Sequence, residues 1–101
     1  MISEIFQSER YLREARKAGL AALEKWGEDK QFIALAGEAG ELVGSIARAL
    51  TRGDDVRQDH EAAALEEVAD VLLVALSLWT PEAIMDALET KTAKLWRKIE
   101  G

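Results

Sequence analysis

The chain has 101 residues, 19 of them acidic, 13 basic and none cysteine, for a formal net charge of −6. That length holds one ordinary core, and an acidic balance argues against sequence-independent binding to a nucleic-acid backbone. Without cysteine there is no disulfide framework and no thiolate metal site.

The N-terminus Met1-Ile2-Ser3-Glu4 has neither the basic nor the apolar stretch of a signal peptide. The longest apolar run, Val71 to Leu76, is too short to cross a bilayer. The expectation is a soluble, cytoplasmic, all-α protein, because a single proline and abundant Ala, Leu and Glu favour helix almost throughout.

The first predicted helix runs from Ser3, a cap, to Trp26, with Gly27 as its stop. Ile5, Leu12, Ala15, Gly19, Ala22, Leu23 and Trp26 recur on one side at helical spacing. The second runs from Asp29 to Leu50, with Phe32, Leu35, Ala36, Ala39, Leu42, Val43, Ile46 and Leu50 as its apolar stripe. Gly37, Gly40 and Gly44 interrupt it, each costing roughly 1 kcal/mol relative to Ala, which implies close approach of something, first of all a partner helix.

Thr51 to Gln58 reads as a polar loop around Arg52-Gly53. The third helix runs from Asp59 to Trp79 and is apolar over most of its circumference from Val68 onward, as a central or interface helix would be. Thr80 caps the fourth helix, with Pro81 at its first position; Ile84, Leu88, Leu95 and Ile99 are its inward residues. Trp26, Trp79 and Trp96 read as core, with stacking on a base the alternative for Trp26, and His60 as exposed.

Four carboxylates sit beside these apolar stripes. Glu38 and Glu41 share one face of the second helix, and Glu67 and Asp70 repeat that spacing on the third. Facing pairs of like charge need a cation, and Mg²⁺, a hard ion that takes oxygen ligands and keeps sites for phosphate, is the natural one; Mn²⁺ can substitute. The plainer reading, solvated acidic residues at a spacing that any acidic helical chain contains by chance, stands beside it.

The order of the motifs adds to this. Trp26-Gly27-Glu28-Asp29-Lys30-Gln31, Gly37-Glu38-Ala39-Gly40-Glu41-Leu42 and Leu65-Glu66-Glu67-Val68-Ala69-Asp70-Val71-Leu72 resemble the MazG-like nucleotide pyrophosphohydrolases, over roughly residues 26–99. The resemblance implies Glu38, Glu41, Glu67 and Asp70 as Mg²⁺ ligands, and Gln31 and Lys91 as substrate-binding residues. Lys94 joins them by sharing the face of Lys91 at helical spacing, and the plainer reading of this basic cluster is a favourable pairing with the dipole at a helix C-terminus. The resemblance further implies hydrolysis of a nucleoside triphosphate to monophosphate and pyrophosphate. Ligands and general base look alike in sequence, so the base is not assigned by the motif; Glu41 is the candidate and Glu66 the outside one. The family assembles as dimers, often paired into tetramers, so a helical-bundle dimer or tetramer is expected.

Gly37 departs from the pattern where many relatives carry Glu, and Thr90 departs where some branches use Asn or Asp. The rival readings are a relative acting on dCTP, dUTP or phosphoribosyl-ATP, and a non-catalytic helical module whose carboxylates are structural or face a partner.

Overall fold

The computed structural model describes the backbone of residues 2–51 and 54–101 and the side chains of residues 8–51 and 58–101. Four helices follow one another: α1 (Ile2–Trp26), α2 (Glu28–Thr51), α3 (Asp54–Leu78) and α4 (Pro81–Glu100). There is no strand among the described residues.

The punctuation predicted from glycine and proline is found where the caps operate. Gly27 takes φ 88°, a left-handed value that favours a residue without Cβ, and its N–H closes on Leu23 O at 2.8 Å. Its own carbonyl accepts from Gln31 N at 3.2 Å, so one residue ends α1 and opens α2. Thr80 Oγ1 accepts from Ala83 N at 3.1 Å, ahead of Pro81 in the first turn of α4. The predicted loop is shorter than expected, because α2 continues through Thr51 and α3 begins at Asp54, five residues before the predicted Asp59. In sequence, acidic residues favour a helix N-terminus as well as a turn, a signal the loop reading overlooked. Ser3 as a cap, Ile5 as an inward residue and the turn at Arg52-Gly53 fall outside the described residues or side chains.

The main packing is α2 against α3, followed by α1 against α3. Gln31 meets Ser77, and Glu38 meets Glu67 and Asp70, so the partner's number on α3 falls as that on α2 rises; the two helices are antiparallel. α1 approaches α3 closely at Gly19, where an added Cβ would lie 2.7 Å from Ser77 N. Arg16 tightens the same junction by donating from Nη1 to Leu76 O and, at 3.1 Å, to Trp79 O, which satisfies carbonyls at the end of α3.

The inward side of α2 matches the predicted one in part. Gln31, Ser45 and Ala49 are buried, and Glu38 is half-buried together with Leu35 and Leu42 of the predicted stripe, a seam of mixed polarity repeating about every second turn. Phe32, Val43, Ile46 and Leu50, about a quarter turn round the helix, are exposed, Leu50 to 69%. Leu65, Val68 and Leu72 form the matching exposed stripe on α3, and Trp79 continues it just beyond the helix end. An edge-to-face contact between Phe32 and Trp79, with ring centroids 5.8 Å apart, puts the two stripes on one side of the helix pair.

α4 carries no buried residue, and Leu88, Leu95 and Ile99, predicted inward, are more than half exposed. The tryptophans are not core either: Trp26, Trp79 and Trp96 are all exposed, while His60 is half-buried. The cause is common to all of them, since four helices of this size leave too few facing surfaces within one chain. A radius of gyration of 16.1 Å, against about 13 Å for a compact chain of this length, expresses the same openness. No single helix among the described residues is long and apolar enough to cross a membrane; part of α3 and α4 reach that apolarity only together, across a 119° bend.

Candidate metal centre

Glu38 and Glu41 are carried by α2, and Glu67 and Asp70 by α3, each pair three residues apart and therefore on adjoining turns. The antiparallel packing brings the pairs together. One carboxylate oxygen each from Glu38, Glu67 and Asp70 lies within 4.8 Å of the others. Glu38 and Glu67 are half-buried and Asp70 is exposed, so the cluster opens to solvent on the Asp70 side. Glu41 stands outside this group of three but close enough to Glu67 to perturb its ionisation.

Two oxygens turned away from solvent, Glu38 Oε2 and Glu67 Oε2, have no hydrogen-bond partner among the described residues. Polar atoms in that condition are rare in folded proteins, because each forfeits its hydration without replacement. Among the described residues no lysine or arginine forms an ion pair with any of the four carboxylates; ion pairs join Arg13 to Glu9 and Lys17 to Glu14 on α1. The Glu67 carboxyl is accordingly held above its ordinary value of 4.5. Removal from water contributes most, then the charge of Glu41, hydrogen bonding with Glu41 and Glu38, and the charge of Asp70.

A divalent cation answers each of these features. Opposite ligands of Mg²⁺ lie about 4.2 Å apart, twice the metal–oxygen distance, so oxygens spanning at most 4.8 Å match one coordination shell with small side-chain adjustment. A Ca²⁺ shell of about 4.6–5.2 Å spans the cluster equally well. With three protein carboxylates, either ion would complete its shell with water or phosphate oxygens. The donor set is all oxygen and contains neither imidazole nor thiolate, which suits a hard ion.

The remaining predicted residues lie elsewhere. Gln31 is 6% exposed and donates from Nε2 to Ser77 Oγ at 2.9 Å, seven residues from Glu38 along the same seam. Lys91 and Lys94 are exposed on α4, whose principal packing is against α1, and every neighbour that perturbs Glu67 is acidic. One chain therefore gathers the carboxylates and leaves those lysines apart. Glu66, the outside candidate for the base, is exposed.

Gly37 and Gly40 have open space where a Cβ would stand, and Gly44 faces only the Arg48 side chain. The partner helix expected against these glycines is not supplied from within the chain. Sequence reasoning missed Ser77, whose hydroxyl donates to Val74 O and receives Gln31; a serine amid apolar residues on α3 was the available signal. Comparison of the chain with family models, curated proteins and solved structures finds no match, so the reading of this site rests on its own residues.

Proposed function

We propose that the chain is a Mg²⁺-dependent nucleotide pyrophosphohydrolase of the MazG-like kind, acting on a nucleoside triphosphate. The observation that carries this reading is the cluster of Glu38, Glu67 and Asp70, drawn from consecutive helices, with two solvent-excluded oxygens that lack any donor. Oxygens shut off from water without a donor are unfavourable in a purely structural cluster, which supports the reading of these side chains as ligands for a cation.

Glu38, Glu67 and Asp70 would hold the ion, which when bound supplies positive charge against the phosphate oxygens and the leaving pyrophosphate. Glu41 lies beside this group and is exposed, so its carboxylate can take a proton from a water in the site. That water's oxygen attacks a phosphorus of the anhydride between the α- and β-phosphates, and the bond to the bridging oxygen breaks. Nucleoside monophosphate and pyrophosphate leave, and Glu41 returns its proton to solvent.

The functional unit in this reading is a homodimer or a pair of dimers. The exposed stripes on α2 and α3 repeat at seven-residue intervals, Leu65 and Leu72 on α3 with Trp79 just past its end, and Val43 and Leu50 on α2, the spacing of helices that pack side by side. A second copy seated there completes a four-helix core, and α4 of the second copy can bring Lys91 and Lys94 to the phosphates. Sedimentation analysis of the purified chain checks this part.

The test of the activity is pyrophosphate release from a panel of nucleoside triphosphates with Mg²⁺, for wild type, Glu38→Gln, Glu67→Gln and Asp70→Asn. Metal-dependent release abolished by all three substitutions supports the reading. A folded wild type that releases none from any nucleotide returns the chain to a non-catalytic helical module.

A further inference from the structure

Four carboxylates and one divalent ion leave a site of net negative charge, so a phosphate chain drawn there needs a further cation. Lys91 and Lys94 stand apart on α4, and the lysines and arginines among the described side chains of α2 and α3 are Lys30 and Arg48. Both share the Glu41 face of α2: Lys30 comes eleven residues before Glu41 and Arg48 seven after, spacings that return to one side of a helix. That face lies opposite the exposed stripe of Phe32 and Leu50, so a second copy seated on the stripe leaves it open. Side chains on a helix lean toward its N-terminus; Lys30 therefore leans away from the carboxylates and Arg48 toward them.

The posture of Arg48 is not that of a cation serving a helix end. It stands in the last turn of α2, where a basic side chain commonly reaches for the free carbonyls. Its Nη2 instead donates to Ser45 Oγ at 3.1 Å, three residues back, and Ser45 is 3% exposed. Gly44 leaves room for this: a Cβ there would come within 3.3 Å of Arg48 Nη1, closer than an ordinary contact. The guanidinium is thus level with residues 44 and 45, about 4.5 Å along the axis from Glu41 and about 9 Å from Glu38. Among the described residues no ion pair joins it to a carboxylate, and no cation figures among the groups that perturb Glu67. It stands off the cluster, with N–H groups to spare.

We propose that Arg48, laid back over Gly44, grips the far end of a polyphosphate whose near end is drawn to the carboxylate cluster. This deepens the pyrophosphohydrolase reading and rests on it for the ion and the class of ligand. A guanidinium meets phosphate oxygens through two parallel hydrogen bonds, which an ammonium cannot form. A single phosphate held beside Glu38 falls short of a group about 9 Å along the helix. Two linked phosphoryl groups, extended toward the C-terminal end of α2, close that gap. The part so held is the pyrophosphate that leaves, and Arg48 offsets the charge gathering on it. A nucleoside triphosphate is therefore preferred over a diphosphate, whose leaving group is one phosphate alone.

The experiment is a calorimetric titration of the full-length protein in Mg²⁺ with inorganic pyrophosphate and with orthophosphate, for wild type, Arg48→Gln and Arg48→Lys. Arg48→Gln should weaken pyrophosphate binding roughly ten- to a hundredfold, the worth of hydrogen bonds to a charged partner. Its affinity for Mg²⁺ alone, and the weaker binding of orthophosphate, should stay at the wild-type level. Arg48→Lys should recover part of the loss, because the charge returns without the paired hydrogen bonds. Circular-dichroism melts establish that both variants fold. Pyrophosphate affinity unchanged in Arg48→Gln, an equal loss for orthophosphate, or no pyrophosphate binding by wild type overturns the proposal and leaves Arg48 a helix-end cation. Nucleotide hydrolysis with KM unchanged in Arg48→Gln removes this inference and leaves the enzyme reading. Pyrophosphate binding that depends on Arg48, without hydrolysis of any nucleotide, does the reverse.

Discussion

Gln31 and Glu38 lie seven residues apart on the same seam of α2, yet they are provided for in opposite ways. The nitrogen of Gln31 is received by Ser77, whose own hydrogen is taken by Val74 O. Glu38 Oε2 is turned from solvent and meets no donor, and neither does Glu67 Oε2 opposite it. A satisfied polar pair at one end of the helix hairpin fixes register and orientation. An unsatisfied acidic group in its middle is unfavourable to the fold unless a cation arrives. The contrast separates the part of the seam that holds the helices together from the part that is kept for chemistry.

The sharpest way to break that contrast is to neutralise the middle. Glu38→Gln and Glu67→Gln should each lower metal-dependent pyrophosphate release by more than about 100-fold, because altering even the outer partners of metal ligands costs about 10–100-fold in affinity or activity. The same variants should melt higher than wild type in chelator, since each removes a like charge from the cluster. A lower melting temperature in chelator would mean that the carboxylates are structural.

At the satisfied end, Gly19→Ala should destabilise the chain by about 1–3 kcal/mol in urea unfolding, the usual penalty for overpacking. Its Cβ would meet the Ser77 backbone at 2.7 Å, and backbone cannot swing aside as a side chain can. Ser77→Ala should cost about 1–2 kcal/mol, because it leaves the Gln31 nitrogen buried without an acceptor.

A gentler probe is pH. Because the folded state holds the Glu67 carboxyl above 4.5, the folded chain binds that proton more tightly than the unfolded chain does. Its stabilising contribution is complete below the ordinary value and is lost as pH rises through the raised one. Thermal melts of metal-free protein should therefore fall over that window, and Mg²⁺ should flatten the decline by taking the proton's place. The smallest effect is expected from Gly40→Ala, which has open space around it and should stabilise the isolated chain by about 1 kcal/mol or less. Loss of stability, or of a dimer seen by sedimentation, would place a second copy against that face.

Much of the fold was legible along the chain. Gly27, Thr80 and Pro81 announced their helix boundaries because capping depends on residues within one turn of one another. The spacing of Glu38 with Glu41 and of Glu67 with Asp70 placed each pair on one helix side for the same local reason. The start of α3 was misplaced, since Asp54 and Asp55 serve a turn and a helix N-terminus equally well in sequence.

Which side of α2 faces inward lay beyond such reasoning. Of its predicted apolar stripe, Leu35 and Leu42 are half-buried, whereas Phe32, Val43, Ile46 and Leu50 are exposed and the most buried positions are Gln31, Ser45 and Ala49. Periodicity identifies an apolar side but does not say what will cover it. Helix content, helix ends and carboxylate spacing were thus determined by the sequence alone, through interactions a few residues long. The meeting of Glu38 with Glu67 and Asp70, the contact of Gly19 with Ser77 and the turning of the Gln31 amide were decided only by tertiary packing. Each joins residues about thirty or more positions apart, and no local propensity specifies how distant surfaces will dock.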